Sequence, residues 1–518
     1  MIRLFSRLVV LLTVVGMACA PSAPGGSVPV PEAKPAVPQR FVWGSASFVP
    51  TLHPFISIQG SQRRFDIYDT VLAQNADGSV GPAVATSWRT VDPLTWEFKI
   101  RQDLRFHDGV AMTAEDVKFS IERANDPAKK YAISGRLGTF GQTTIVDPTT
   151  VRVGTKTPDP LFPKRIMLIS ILPKAYLERV GDDGFQNAPI GTGPFRVAEW
   201  KEQGHLTVVA MPEHPYRKAT LTQATIRFIP EPSARQAGLR TGDLDYADAI
   251  PLEQGPAFQS AGFKLLAYDS GSSAGYTMDT VILDQPTPLP TRDKRVRQAI
   301  NYAVDKDSIA KNIYRGYTKP EQCQLVQPET FGFNPRLKPY PYDPAKAKQL
   351  LAAAGYPNGF KLELRGQRTS AEAEPLALFV QSQLKDVGIE VEYQVIDPST
   401  YRDLFYGDRT RPGLFVHGLT NRPAFDADFA LTWFSGTNVG GTRHYDNAEF
   451  DRAYLASQQE MNEARRLELL QKALEIFCED PPYLFLVQLA SMAVHQASVD
   501  GIERRADNSP DLSKIKRT

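Results

Sequence analysis

Apolar residues recur at the 3.6-residue spacing of an α-helix in several segments, and helix-capping residues stand at the segment ends. Thr113-Ala-Glu-Asp116 has the spacing of a capping box, and Val117, Ile121 and Ala124 then fall on one helical face. The segment Asp343–Gly355 begins with an acid and a proline and ends with a glycine. We predict helices in both places, and in a third run with the apolar positions Val296, Ile300, Ala303 and Val304.

In other segments apolar and polar residues alternate, which predicts β-strands. Trp96, Phe98 and Ile100 share one face of such a segment. A later strand follows a helix that ends at Gly388, and its apolar residues are Ile389, Val391, Tyr393 and Val395. Helices and strands alternate in this way through the C-terminal half, so we expect αβ units with mixed or parallel sheets and helices on the sheet faces.

The first twenty residues read as an export signal. Arg3 and Arg7 precede an apolar run that is too short to span a bilayer, and small residues follow it. This order of charges disfavours a membrane anchor or an ordinary N-terminal strand. Cleavage occurs either before Cys19, which leaves a lipid-modified terminus, or after Ala20, which leaves no anchor. Residues 16–19 resemble a bacterial lipobox, although Gly16 stands where leucine is usual.

Residues 21–39 are rich in proline and predict a semi-rigid spacer that holds a domain away from a membrane. The 518 residues predict two or three domains. Lys and Arg total 59 against 58 Asp and Glu, which argues against nucleic acid as a partner. Two cysteines lie beyond the signal, Cys323 and Cys478. They either pair in an oxidising compartment or lie apart as buried thiols.

Ordered motifs along most of the mature chain carry a family resemblance. They include Tyr68-Asp-Thr-Val-Leu72, the segment Thr95–Gly109, Gly191-Thr-Gly-Pro-Phe195, Arg295–Asp305 and Tyr342–Leu351. In order and spacing these segments resemble extracellular solute-binding protein family 5 of ABC transporters, which includes dipeptide-, oligopeptide- and nickel-binding proteins. So many segments in one order make chance similarity implausible.

The resemblance implies an α/β fold that is periplasmic-binding-protein-like, of type II (cluster C), with two lobes, a two-strand hinge and three domains. It places the first lobe at residues 40–78, 190–270 and 491–518, with an inserted subdomain at 79–189. The second lobe is then 271–490. The ligand is expected in the cleft between the lobes, and a hinge motion closes the cleft over it.

By the same resemblance, the residues that bind the ligand come from loops at the cleft. On the first lobe they are Trp43, Ser45, Phe48 and Tyr68. At the lobe crossover and on the second lobe they are Tyr276, Met278, His417, Asn421, Arg422, Trp433 and Phe434. For Trp43 and Tyr68 the alternative is ordinary core packing, and for Arg422 it is an exposed surface position.

The sequence departs from peptide-binding members of this family at one place. Such members commonly hold the ligand's amino group with an Asp, and Asn421 to Pro423 stand where that Asp would fall. Asp426 and Asp428 instead read as the start of the following helix. Asn421 carries no charge and Arg422 favours an anionic group, so a modified peptide or another solute is expected.

Transport is the function that these features predict, and no cofactor is expected. We find no nucleophile elbow, zinc-protease motif or phosphate loop that would indicate an enzyme. A metal-chelate binder is the main alternative, with His417 and His444 as its candidate ligands, although the seven histidines are otherwise scattered. A sugar or another small organic solute is also compatible with the family. The expected partners are a peptide-like solute and the permease subunits of an ABC transporter, and the expected state is an exported monomer.

Overall fold

The computed structural model describes residues 39–56, 65–75, 77–278, 289–366, 371–397, 400, 414–416, 419–420, 426–435, 445–505 and 508–518. Within residues 269–278, 414–416 and 419–420 the description covers the backbone alone. None of the helices in this part of the chain combines the length and the apolar character needed to cross a membrane.

The described chain alternates between helices and strands, as the sequence predicts. The strands are β1 Arg40–Ser45, β2 Leu72–Gln74, β3 Val80–Pro82, β4 Ala85–Asp92, β5 Thr95–Ile100, β6 Phe140–Asp147, β7 Thr150–Thr155, β8 Phe195–Lys201, β9 His205–Ala210, β10 Gln223–Phe228, β11 Tyr246–Ala247, β12 Lys264–Met278, β13 Phe360–Gly366, β14 Ile389–Val395, β15 Leu414–Val416, β16 Leu419–Thr420, β17 Tyr483–His495, β18 Val499–Asp500 and β19 Lys516–Arg517. The helices are α1 Ala114–Ala124, α2 Phe162–Ile166, α3 Lys174–Asn187, α4 Pro232–Thr241, α5 Gly255–Ser260, α6 Lys294–Tyr302, α7 Lys306–Ser308, α8 Pro344–Ala353, α9 Ala373–Asp386, α10 Asp428–Leu431, α11 Ala448–Ser457 and α12 Glu463–Glu479.

One large mixed sheet runs through most of the molecule, in the order β14-β13-β15-β12-β17-β11-β1-β10-β9-β8, and β16 pairs with β12 beside this path. On one side β1 is parallel to β10 and β11. On the other side β13 is parallel to β14 and β15. Each parallel group lies in one half of the sheet, the first half also contains the antiparallel strands β8 and β9, and the long antiparallel pair β12 and β17 joins the halves.

The β12–β17 pair has an irregular register at its middle. Lys264 to Asp269 pair in regular order with His495 to Ala490, and the next pair is Ser273 with Gln488. Three residues of β12 therefore face a single residue of β17, and such a bulge bends a strand pair. Each strand passes from one half of the sheet to the other across this point, which is the geometry of the predicted two-strand hinge.

A separate four-stranded antiparallel sheet, in the order β4-β5-β7-β6, lies within residues 85–155. These strands fall inside the segment predicted as the inserted subdomain, whose boundaries at 79 and 189 stay a prediction. Its core side chains, among them Phe98, Val153 and Phe162, belong to the same apolar cluster as Phe41 and Leu206 of the first half of the large sheet.

The local predictions of helix ends are confirmed. The Thr113–Asp116 capping box is present at the start of α1, and the buried positions of that helix include Val117, Ile121 and Ala124. The Asp343 carboxylate accepts a hydrogen bond from the Lys346 amide at the start of α8. Gly355, just after that helix, has a φ of 92°, a conformation that glycine adopts at little cost.

The strand predicted from Ile389 to Val395 is confirmed as β14, and its apolar face is buried in the first half only. Ile389 and Val391 are buried and Tyr393 is partly buried, but Val395 is 44% exposed. Among the strands that the structure describes, β14 is the outermost and pairs with β13 alone. That neighbour places Gly366 beside Val395, and glycine offers no side chain to cover it. The exposure of Val395 follows from this position at the edge of the sheet.

Cys323 and Cys478 form a disulfide bond, which settles the alternative left open by the sequence. Cys478 lies in the last turn of α12, and Cys323 lies in the irregular segment that precedes α8. Both belong to an apolar cluster with Phe434, Tyr445, Phe450 and Phe477, which is the core beneath the second half of the sheet. The bond fixes a long irregular segment to a helix that packs in this core.

Candidate functional site

The carboxyl ends of the parallel strands in the first half of the sheet gather at one edge. β1, β10 and β11 run in the same direction and end at Ser45, Phe228 and Ala247. In open α/β sheets, ligands bind outside the carboxyl ends of the strands. The residues that follow these strands, including Ala46 and Asp248, are therefore candidates for the wall of a binding site.

The second half of the sheet presents an equivalent edge. β13, β14 and β15 are parallel and end at Gly366, Val395 and Val416. Val416 pairs with Tyr276 and Leu414 with Met278, so β15 runs toward the middle of β12. The carboxyl edge of the second half therefore faces the bulge of the hinge pair.

The carboxyl edge of the first half of the sheet faces the same bulge. After β11 the chain continues along β17, where the Ile250 amide donates to the Met492 carbonyl at 2.9 Å. Ala247 pairs with Val494, so this direction also leads toward the bulge. Two carboxyl edges that face each other across a bent strand pair form a cleft with the hinge as its floor. We take this cleft as the candidate functional site.

Trp43 and Asp248 shape the first wall of the cleft. Trp43 is only 2% exposed and packs against Phe65 and Tyr246. Its indole N–H donates to Asp248 Oδ2 at 2.9 Å, and the Ala46 amide donates to Asp248 Oδ1 at 2.8 Å. In this structure Trp43 is thus a core residue that positions the loop after β1, and a direct contact with ligand stays a prediction.

Arg235 of α4 holds the neighbouring loops of the same wall. It is buried, and its guanidinium donates to the carbonyls of Ile229, Pro230, Asp248 and Ala249 at 2.6–3.0 Å. Ala249 has a φ of 47°, which is unfavourable for a residue with a Cβ atom. The arginine therefore satisfies the carbonyls of two loops and stabilises the strained turn between Asp248 and Ile250.

The other predicted residues of the first lobe differ in exposure. Ser45 is buried, and its hydroxyl donates to the Ser47 carbonyl at 3.1 Å. Phe48 is 46% exposed, so its ring is available for contact. Tyr68 is buried and donates to the Leu52 carbonyl at 2.9 Å, and burial raises the pKa of its hydroxyl. Tyr68 therefore supports the loop that carries Phe48.

The predicted residues of the second lobe are only partly within the described chain. Tyr276 and Met278 lie on β12, where Tyr276 pairs with both β15 and β17 and Met278 pairs with β15. Trp433 is partly buried, and Phe434 is buried against Phe477. Phe434 is thus a core residue in this structure. The remaining predicted residues lie outside the described residues: Cys19, His417, Asn421, Arg422 and, for the metal alternative, His444.

The Gly191-Thr-Gly-Pro segment packs directly against the chain that leads to Tyr68. A Cβ atom at Gly191 would lie 2.0 Å from the Ile67 carbonyl oxygen, and one at Gly193 would lie 2.1 Å from the Asp66 carbonyl oxygen. Only glycine permits such an approach. His107 fastens the segment, because its Nδ1 accepts from the Gly191 amide at 3.2 Å and its Nε2 faces the Gly193 carbonyl at 3.0 Å.

Sequence reasoning missed a group of charged side chains around the start of α10. Asp426 and Asp428 do precede and begin this helix as predicted, and the Asp428 amide donates to Asp426 Oδ1. Both are also buried, and Asp426 contacts Lys164 and Arg466 at 2.9 and 2.7 Å. Burial alone would raise the pKa of Asp426, but these two cations hold it below its usual value. No sequence spacing signals such a group, because its members come from distant segments.

Among the residues that the structure describes, no cluster of three or more His, Cys, Asp or Glu side chains is placed to hold a metal ion. The two walls of the cleft are joined by the hinge, so they can close over a small molecule. Backbone groups at the strand ends and a few side chains would be its hydrogen-bond partners.

The sequence and the fold of this chain are similar to those of known proteins. A family model described as bacterial extracellular solute-binding proteins, family 5 middle, matches residues 79–441. The glutathione-binding protein GsiB of Pectobacterium atrosepticum is 29% identical over 424 residues, which cover 79% of this chain and 80% of GsiB. DppA from Helicobacter pylori, solved in complex with peptide STSA, has a TM-score of 0.76 and 25% identity, covering 92% of this chain and 98% of DppA.

A second solved structure has the same fold with a different ligand. NikZ from Campylobacter jejuni, in complex with Ni(L-His), has a TM-score of 0.79 and 23% identity, and the match covers 93% of this chain and all of NikZ. At this level of identity the likeness establishes the fold alone.

Proposed function

Because the chain belongs to the bacterial extracellular solute-binding proteins of family 5, we propose that it captures a peptide-like solute in the interlobe cleft and delivers it to an ABC importer. The α/β fold predicted from the resemblance, periplasmic-binding-protein-like of type II, is confirmed by the solved structures that it matches. Family membership therefore supports solute binding by this chain, and what we propose is the identity of the solute.

The observation that carries the proposal is the pair of facing strand edges across the β12–β17 hinge. A ligand that contacts both edges binds the closed arrangement better than the open one, and that difference shifts the population toward closure. A permease can then distinguish loaded from empty protein by shape. Such a cycle needs no bond to be made or broken, so we propose no enzymatic activity.

The solute that we favour is a modified, anionic peptide of which glutathione is the example. The relatives GsiB of Pectobacterium atrosepticum and GsiB of Escherichia coli are named for glutathione binding. Glutathione has a γ-linked glutamate and two carboxylates, so it differs from an ordinary peptide at its amino end. The chain has Asn421 and Arg422 where peptide binders place an Asp. An amide and a guanidinium suit a carboxylate better than they suit an isolated ammonium group.

We extend the proposal to the binding residues and the location. Phe48 and Ser45 would contact the solute from the first lobe, with Trp43 and Tyr68 behind them, and Tyr276, Met278, His417, Asn421, Arg422 and Trp433 would lie opposite. The protein would act as a monomer outside the cytoplasmic membrane, beside its permease. Lipidation of Cys19, followed by the proline-rich spacer, would tether it there.

Thermal shift and titration calorimetry on the mature chain test the solute. We expect a saturable rise in Tm with glutathione, and a smaller one or none with free dipeptides, tripeptides, sugars or Ni-histidine. Arg422→Gln should weaken glutathione binding about tenfold, as the loss of a charge-assisted hydrogen bond would. The matched control, Arg336→Gln, changes an exposed arginine that pairs with Glu475 at the surface.

Two results would contradict this proposal. A preference for unmodified dipeptides with a free amine would show that the departure at Asn421 to Pro423 does not govern the ligand. A saturable rise in Tm with Ni-histidine or a sugar, and none with glutathione, would show that the protein binds a non-peptide solute for the same class of transporter.

A further inference from the structure

A group of six charged side chains, four buried and two partly buried, connects two regions that lie on opposite sides of the hinge. We call it the interlobe ionic cluster, and its members are Asp159, Lys164, Arg165, Asp426, Asp428 and Arg466. Three members lie in the segment around α2, whose Phe162 and Ile166 are buried in the apolar core of the first half. The other three surround α10, whose Ala430 and Leu431 are buried in the core of the second half.

The side contributed by α2 is held in place within its own half. Arg165 contacts Asp159 at 3.1 Å, and Asp159 also accepts from the Thr139 hydroxyl at 2.7 Å and the Leu161 amide at 2.9 Å. Lys164 is next to Arg165 in the same helical turn and projects across to the other half. There its Nζ lies 2.9 Å from Asp426 Oδ2 and 5.3 Å from the centre of the Phe331 ring.

The side contributed by α10 is equally well held. Arg466 of α12 makes a two-pronged contact with Asp426, at 2.9 and 2.7 Å. Asp428 Oδ1 accepts from the Tyr454 hydroxyl at 2.9 Å and the Gln458 amide at 3.0 Å, and Asp428 Oδ2 lies 3.8 Å from Arg165. Contacts within its own half thus hold every member of the cluster except Lys164, whose partners Asp426 and Phe331 lie in the other half.

The two sides complement each other in charge. The α2 side carries two cations and one carboxylate, and the α10 side carries one cation and two carboxylates. Apart, each side has one charge in excess, of opposite sign. With both carboxylates of the α10 side ionised the sum is zero, which is the condition under which buried charges are tolerated. Burial raises the pKa of Asp428, and the contact with Arg165 opposes that shift and favours its charged form. In the joined state the Lys164 side chain is 19% exposed and that of Asp426 is fully buried.

We infer that the interlobe ionic cluster is a clamp that favours the closed arrangement of the lobes, and that Lys164 and Arg165 set solute affinity without contacting the solute. This inference rests on the proposed function, because closure is there the step that traps the solute. Closure brings the two excess charges together, and opening returns them to water. The cluster therefore adds a solute-independent contribution to the closing equilibrium, and any solute that needs the closed form binds more tightly.

Lys164→Met is the informative variant, because it removes the positive charge that reaches from the α2 side to Asp426 and leaves the Asp426–Arg466 pair intact. The first measurement is X-ray scattering of ligand-free mature protein at about 50 mM salt. We expect a larger radius of gyration for Lys164→Met than for the wild type. Salt of about 500 mM should move the wild type toward the variant, since screening weakens the attraction between separated charges. This measurement needs no knowledge of the solute.

Two control variants keep the test interpretable. Lys174→Met removes a lysine that pairs with Glu115 at 3.8 Å within the same subdomain, so it should behave as wild type. Lys164→Arg keeps the charge and should restore most of the compact form. Equal radii for the wild type and Lys164→Met at low salt, or equal enlargement by Lys174→Met, would overturn the clamp.

The second measurement is the affinity for glutathione, used as the probe. We expect Lys164→Met to weaken it about tenfold, as the loss of one partly buried ion pair would, and to reduce its salt dependence, with Lys164→Arg close to wild type. Unchanged affinity in Lys164→Met would contradict the role in solute capture. If wild-type protein does not bind glutathione, the proposed solute fails, whereas the scattering result still decides whether the clamp exists.

Discussion

The partly buried His107, which fastens the Gly191–Pro194 turn, is a side chain whose protonation can be tested. Its Nε2 faces a carbonyl oxygen and its Nδ1 accepts from an amide, so the neutral ring fits both neighbours. Protonation would place a hydrogen on Nδ1, against the Gly191 amide. Burial lowers the pKa of His107 from 6.5 to about 4. The Gly191–Pro194 turn is therefore secured by a histidine that must stay neutral.

We predict that the protein loses stability in acid partly through this residue. Between pH 6.5 and 4 the unfolded chain takes up a proton at His107 and the folded chain does not, so the free energy of unfolding falls as the pH falls through this window. The loss from one such histidine is on the order of 2 kcal/mol. His107→Gln should make urea unfolding curves at pH 7 and pH 4.5 differ less than in the wild type.

Part of the acid sensitivity should remain in that variant, because burial also lowers the pKa of His53 to about 4. The matched control is His205→Gln, which changes a histidine beside Glu199 on the β8–β9 hairpin. The prediction is contradicted if His107→Gln and His205→Gln have the same effect on the difference between the two pH values.

At the residue scale, the sequence predicts contacts between neighbours and misses those between distant segments. The Thr113–Asp116 box and the Asp343 cap were predictable because each joins residues only three positions apart. The Trp43–Asp248 bond joins residues 205 positions apart, and its partner could not be identified from spacing. For the same reason Asp426 was predicted as a helix-start residue, while its partners Lys164 and Arg466 were not.

At the element scale, the disulfide makes the most specific connection. It joins Cys323, in an irregular segment, to the last turn of α12 across 155 residues of chain. We predict that Cys323→Ser together with Cys478→Ser lowers the free energy of unfolding by about 3 to 5 kcal/mol, because the unfolded chain regains the freedom of a long loop. The midpoint of urea unfolding measures this loss.

Reductant supplies the control for the disulfide. Dithiothreitol should lower the unfolding midpoint of the wild type to that of the double variant and leave the double variant unchanged. Equal stability of the wild type and the double variant without reductant would mean that the bond does not constrain the unfolded chain as expected.

Elements with a clear period were predictable, and those with mixed composition were not. β5 and the first half of β14 follow the alternation that the sequence shows. β12 contains the polar, glycine-bearing run Asp269-Ser-Gly-Ser-Ser-Ala-Gly275, which has no strand pattern, yet it forms a long strand with a central bulge. Its conformation depends on pairing with β17, whose residues lie more than 200 positions later, so only the family resemblance indicated a crossover there.

At the scale of the whole molecule, the cleft follows from strand direction in both halves of the sheet. Parallel strands place their carboxyl ends at one edge, and the antiparallel β12–β17 pair turns the two edges toward each other. The sequence predicted parallel units but could not orient two sets of them. The resemblance supplied the two-lobe arrangement, and the loops that would confirm the individual binding residues lie mostly outside the described residues.

Solute binding and closure of the lobes should be coupled. A solute held by both walls must draw the lobes together, so the radius of gyration should fall as glutathione is added. Binding should also stabilise the folded chain by about 2.7 kcal/mol at a concentration one hundred times Kd. Because one event causes both changes, scattering and thermal unfolding should fit a single Kd when it is determined from each titration. In Lys164→Met, which we expect to be more open without solute, a rise in Tm without a change in radius would mean that one wall alone holds the solute, since such a solute binds the open and closed forms equally.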